Sequence, residues 1–177
     1  MCNTGLIPGH QHLLEPATRR LVCCCDPCAL LFPSRGNGKY RQVPRRVRVL
    51  ENFLLTDGQW DSLMIPIGMA FLFESSTESR MTALYPSPAG AIESLLPLDA
   101  WNDLAQDNPI LTGMEPDVEA LLVNRLGTGE YYLTPIDRCY QLVGLIRTHW
   151  RGLSGGTELW GETERFFDQL KKEATNA

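Results

Sequence analysis

Four of the chain's six cysteines crowd into the six positions of Cys23-Cys24-Cys25-Asp26-Pro27-Cys28. Successive side chains of an extended segment point to opposite faces, so these neighbours cannot all enter one apolar core. Cys2, His10 and His12 lie just upstream, which places five of six cysteines and two of three histidines in the first 28 residues. Such a density of sulfur and imidazole donors points to a metal ion standing in for a hydrophobic interior that so short a segment cannot build. Cys139, isolated among apolar residues, reads instead as a small core side chain.

Spacing narrows the choice of ligands. Cys25-Asp26-Pro27-Cys28 is a Cys-x-x-Cys pair, in which a tight turn aims two thiolates at one ion and the proline pre-sets the backbone. Residues 19–23 read as a strand, with Cys23 able to join Cys25 and Cys28 and Cys24 turned to the other face as a spectator. A tetrahedral shell needs four donors. The set expected here is Cys2, His12, Cys25 and Cys28, with Cys23 and His10 as substitutes. Thiolate and imidazole donors favour zinc, and iron or an iron–sulfur centre is the alternative on mostly the same residues. A thioredoxin-like redox pair fits less well, because it leaves the additional Cys and His donors unexplained. A site with four protein ligands would be structural, since catalysis requires an open position.

The 177 residues suffice for one domain with a core plus a small appended module. The longest apolar run, Met64 to Phe73, is interrupted by Pro66 and Gly68 and is too short to span a bilayer. The N-terminus lacks the basic start and apolar centre of a secretory signal, so a soluble cytoplasmic protein with reduced thiols is the expectation. Charge is distributed unevenly: residues 1–50 carry eight Arg and Lys against two acids, and the remainder eight against nineteen. Arg35, Lys39, Arg41, Arg45, Arg46 and Arg48 form a basic stretch free of acids. Such a stretch suits a solvated edge, an acidic partner or the chain's own acidic remainder, and nucleic acid is the disfavoured reading.

Beyond the cysteines the pattern is that of a mixed domain. Gly36-Asn37-Gly38 is a turn, and Thr56 and Gln59 have capping-box spacing before a short helix. Residues 67–73, apolar on both faces, predict a central strand, and residues 80–85 a returning one. Residues 85–90, with two prolines, predict a rigid loop. Asp99 is placed to cap a helix carrying Trp101, Leu104 and Ala105. Residues 119–126 and 130–134 flank Gly127-Thr128-Gly129 as a hairpin. Thr134 and Pro135 open a helix with Cys139, Leu142, Val143, Ile146 and Trp150 on one stripe, and Thr157 opens another with Trp160, Thr163, Phe167 and Leu170. The expected fold is α+β: an antiparallel sheet with helices packed on one side and an N-terminal zinc-knuckle or ribbon-like segment. Residues 1–34 form the metal-binding knuckle and residues 35–177 the α+β domain packed against it.

Catalytic signals are sparse. His149, beside Trp150 near a helix end, suits a structural or dipole role. No nucleophile elbow or phosphate-loop pattern occurs. The glycine-rich residues 152–156 read as an interhelical loop. Glu115, Asp117 and Glu119 read as a solvated acidic edge, with an enzymatic site among Asp117, Glu119, Arg147 and Arg151 as the rival reading.

Four segments, residues 21–32 (LVCCCDPCALLF), 85–91 (YPSPAGA), 115–122 (EPDVEALL) and 139–147 (CYQLVGLIR), carry a likeness that extends over nearly the whole chain. On these the protein resembles an uncharacterised bacterial domain-of-unknown-function family associated with uptake nickel–iron hydrogenase genes. The resemblance implies an accessory role in assembly or partner docking, with a hydrogenase subunit or its maturation machinery as the partner. That family opens with a Cys-x-x-Cys whose second member matches Cys2, which implies either a start upstream of Met1 or completion of the shell by His10 or His12. The functional expectation is a non-catalytic, zinc-stabilised adaptor that meets a larger protein through the knuckle, the basic stretch and the residue 85–90 loop. The alternatives are an iron–thiolate electron carrier and a zinc-containing nucleic-acid-binding module.

Overall fold

Alternation along the central strands builds the molecule around one sheet with two buried faces. The computed structural model describes residues 2–33, 38–95, 97–152 and 154–176. In β5 (Met69–Ser75), Met69, Phe71 and Phe73 enter one apolar cluster while Ala70 and Leu72 enter another. The same division holds in β8 (Glu119–Asn124), with Ala120 and Leu122 against Leu121 and Val123. In β9 (Glu130–Pro135) it separates Tyr132 from Leu133. A two-residue repeat that is apolar in both phases can only be satisfied by covering both sides of the sheet.

The sheet has seven strands. With β4 (Arg48–Val49), β6 (Arg80–Ser87), β7 (Gly90–Glu93) and β10 (Thr175–Asn176), its order is β10-β4-β9-β8-β5-β6-β7. Its pairings are antiparallel except β10 on β4, which is parallel.

The fold is α+β as expected, and the two long helices, α4 (Ile136–His149) and α5 (Gly156–Glu173), lie together on one face. The opposite face is covered by the shorter α2 (Asp57–Ser62) and α3 (Leu98–Asp107), followed by a 3-10 turn at Pro109–Gly113. The Thr56 capping box is present, its hydroxyl accepting from the Gln59 N–H and the Gln59 carboxamide oxygen from the Thr56 N–H. Helix α4 buries Ile136, Cys139, Leu142, Val143 and Ile146 at the three-to-four-residue spacing of one helical face.

Several local expectations shift. Pro135, not Thr134, precedes α4, and Thr134 stays in β9 with a buried, unpaired hydroxyl. Pro97 precedes α3, so Asp99 lies in the first turn. In α5 Leu159 takes the core position expected of Trp160, alongside buried Thr163, Phe166, Phe167 and Leu170, and Trp160 is 40% exposed, donating from its indole to the Ser154 carbonyl. The predicted loop at residues 85–90 is the β6–β7 hairpin. The β5 pairing ends at Leu84, so Pro86 sits where the strand has one neighbour, and its missing N–H removes nothing from β5. Arg35, Gly36 and Asn37 of the expected basic stretch and turn lie outside the described residues, as does Leu153. No described helix is long and apolar enough to cross a membrane.

The N-terminal segment is a three-stranded sheet of its own. In the order β2-β1-β3 it joins β2 (Arg20–Cys24), β1 (Gln11–Glu15) and β3 (Arg41–Gln42). β3 extends this unit past residue 34, and the Val43 N–H donates to the His12 carbonyl. The unit is fastened to the main domain at several points. Leu14 enters the larger core, and Arg19 reaches Glu78, Glu93 and the face of Phe73.

Candidate metal centre

Antiparallel register decides which donors share a face. His12 pairs with Cys23 across β1 and β2, and Gln11 with Cys24. Directly opposed residues project to the same side, so Cys24 goes with Leu13 into a small apolar cluster beneath the sheet while His12 and Cys23 go to the opposite side. After Cys24 the chain turns into the one-turn helix α1 (Asp26–Ala29), with extended Cys25 as its N-cap and Pro27 in its first turn. That turn brings Cys25 and Cys28 together, and Cys2 closes on both from the irregular segment ahead of β1.

Cys2 Sγ lies 3.3 Å from Cys25 Sγ and 3.2 Å from Cys28 Sγ. All three sulfurs fall within 4.8 Å of one another. These separations exceed a disulfide bond of about 2.0 Å. Tetrahedral thiolates at about 2.3 Å from zinc stand about 3.8 Å apart, so the two separations from Cys2 need open by only about half an ångström to take an ion. The cluster can therefore hold a metal.

Its electrostatics favour a thiolate at the exposed corner. The Thr4 hydroxyl, 3.4 Å from Cys2 Sγ, and the Thr4 backbone lower the Cys2 thiol to about 6, with the Cys28 and Cys25 thiols adding to the shift. For Cys25 the backbone N–H of Cys28 pulls downward. The hydrogen bonds to Cys2 and Cys28 and the neighbouring negative charge outweigh it and raise the thiol. A divalent cation at the centre would remove that mutual repulsion, which is the chemistry of a thiolate metal site. Burial raises Cys24, which stands apart from both donor groups, and raises Cys139 further in the main core.

The structure divides the expected four-ligand set. His12 lies with His10 and Cys23 in a second group, whose ligand atoms are also within 4.8 Å of one another. The reason is partly β-register and partly Asp137, whose Oδ2 lies 2.7 Å from His12 Nδ1 across 125 residues of sequence. Asp137 carries no local signal for this role, because its position in the first turn of α4 already accounts for an acid there. Among the described residues, no fourth Cys, His or carboxylate joins Cys2, Cys25 and Cys28 within that distance.

The acidic residues and the basic stretch find each other. Arg41 pairs with Asp117 at 2.8 Å, both buried. Glu119, fully buried, receives Arg46 at 3.3 Å and Arg48 at 3.1 Å, and Glu115 receives Arg46 at 3.0 Å. The solvated acidic edge is thus corrected to an internal ion-pair network. Asp117 and Glu119 use their charge on Arg41, Arg46 and Arg48, not on Arg147 or Arg151. His149 meets Glu158 at 3.2 Å across the α4–α5 junction.

A protein-family model described as "Family of unknown function (DUF5947)" matches residues 1–174. No curated protein and no solved structure matches the chain.

Proposed function

Because the chain belongs to the family of unknown function DUF5947, its role has to be argued from its own residues, and we propose that it is a non-catalytic accessory or adaptor protein with a zinc-stabilised N-terminal module. The observation that carries this reading is the convergence of Cys2, Cys25 and Cys28 above a very small apolar cluster. That cluster has four buried members among the described residues, Leu13, Cys24, Cys28 and Ala29. So little buried surface does not offset the entropy of ordering the segment, and a bound ion makes up the difference. Three thiolates select zinc over harder cations.

The module displays what an adaptor needs. Leu30 and Leu31, which follow the last thiol ligand after Ala29, are 80% and 74% exposed. Much of the basic stretch is engaged internally, and residues 85–87 and 90 lie in paired strands, so the proposed contact surface narrows to the knuckle. The partner is a larger protein met in the cytoplasm, where thiols stay reduced. A nickel–iron hydrogenase subunit or its maturation machinery is the candidate that the family resemblance supplies.

The test is purification from the native host without chelator, with metal content and bound proteins measured on one sample. Stoichiometric zinc and a co-purifying larger protein are expected. Iron in its place, visible as a thiolate charge-transfer colour, would replace the zinc reading. Neither metal, with all three thiols freely titratable in folded protein, would remove it. A partner set lacking any hydrogenase component would remove that assignment.

A further inference from the structure

His10, His12 and Cys23 have the arrangement of a metal site in their own right. His10 immediately precedes β1 and its ring lies against that of His12, and Cys23 is the cross-strand partner of His12. Each histidine has one nitrogen anchored. His10 Nδ1 donates to the Ile7 carbonyl at 3.0 Å, and His12 Nδ1 donates to the Asp137 carboxylate at 2.7 Å. Both acceptors lack hydrogens of their own, so both rings carry the Nδ1 hydrogen and keep an Nε2 lone pair for a ligand. His10 Nε2 is buried with no hydrogen-bond partner. A carboxylate or carbonyl behind each imidazole is the support that metal-binding histidines ordinarily have.

The rings meet edge to face, with centroids 5.0 Å apart and planes at 77°. That geometry lets two donors converge, whereas parallel stacking would hold them side by side. Beyond them lies a cavity of about 560 Å³ lined by His10, His12, Leu21, Arg45, Asp137 and Tyr140. His10 and His12 line that cavity and Cys23 closes the group from the neighbouring strand, so three donors leave a fourth tetrahedral position for water or an exchangeable ligand.

We propose that His10, His12 and Cys23 form a second transition-metal site, separate from the thiol triad, with Asp137 as the positioning residue and the open coordination position facing the cavity. Two imidazoles and one thiolate suit a borderline ion such as Zn²⁺. The inference goes beyond the structural role proposed for Cys2, Cys25 and Cys28 and does not depend on it.

Metal-free, fully reduced full-length protein titrated with Co²⁺ tests the proposal by visible absorption, with Zn²⁺ stoichiometry measured in parallel. Two equivalents are expected. The Cys23→Ser variant, conservative at an exposed position, and the His10→Ala variant should each bind one equivalent with the spectrum of a three-thiolate site. The double variant Cys25→Ser/Cys28→Ser should bind one equivalent with a single-thiolate spectrum. Asp137→Asn should keep both equivalents while weakening one by about 10–100-fold. One equivalent in the native protein, lost only with Cys25 and Cys28, would overturn this site and leave the thiol site standing. One equivalent lost only with His10 or Cys23 would uphold this site and remove the thiol one. A single equivalent lost in both sets of variants would mean one mixed site and overturn both.

Discussion

At the scale of single residues, position in the fold separates chemically similar side chains. Asp117 has a left-handed backbone (φ 66°), a conformation that aspartate tolerates better than most residues. Its carboxylate accepts from the Ser76 N–H at 2.8 Å and the Ser76 hydroxyl at 2.6 Å while pairing with buried Arg41. Removing it strands a buried guanidinium. Asp117→Ala should cost about 3–5 kcal/mol in urea unfolding, with Asp117→Asn milder because it keeps an oxygen for Ser76. A loss below about 1 kcal/mol would show that Arg41 finds water instead. Glu93 is the exposed counterpart. Arg80 chiefly, then Arg19, hold its carboxyl below the ordinary value near 4.5. A lowered native pKa means that the stabilisation is present above that value and is lost as pH falls through the native one. The side chain is more than a third exposed, so Glu93→Gln should cost about 0.5 kcal/mol or less at pH 7. The difference from the parent should shrink as pH falls below the ordinary carboxylate value and through the lowered native one.

At the scale of elements, the β1–β2 hairpin sorts its donors by strand periodicity. Even-numbered His10, His12 and Leu14 face one way, and Leu13 goes with Cys24 into the small cluster beneath. The helical turn after Cys24 breaks that alternation and lets Cys25 and Cys28 meet Cys2. Helix α1 therefore depends on the thiol site far more than the main sheet does. In the Cys25→Ser/Cys28→Ser protein, amide hydrogen exchange should lose protection around α1 by at least tenfold. Protection in β5 and β8 should stay close to that of the parent. Uniform protection in both regions would show that the module is ordered without its thiol site.

At the scale of the whole molecule, a sheet buried on both faces supplies a rigid platform, and the N-terminal module is strapped to one side of it by Leu14, Arg19, Arg41 and His12. The apolar pair Leu30 and Leu31 projects from that module. Changing both to Ser should leave the unfolding free energy within about 0.5 kcal/mol, since neither is buried. Quantitative pull-downs should then lose the proteins that the parent retains. An unchanged retained set would move the contact surface elsewhere.

Much of this was legible from short-range pattern. The Cys25–Cys28 turn, the Thr56 capping box, the apolar stripe of α4 and the two-faced character of β5 each depend on residues within one or two turns or strand repeats. Their geometry follows from backbone sterics and side-chain alternation alone. Three decisions belonged to the tertiary structure: the pairing of Arg41, Arg46 and Arg48 with Glu115, Asp117 and Glu119, the covering of the second sheet face, and the assignment of His12 to Asp137 and Cys23 in place of the thiol triad. Each joins groups far apart along the chain, where spacing carries no geometric information and sheet register selects the neighbours. Composition announced that donors were abundant at the N-terminus; folding determined which of them meet.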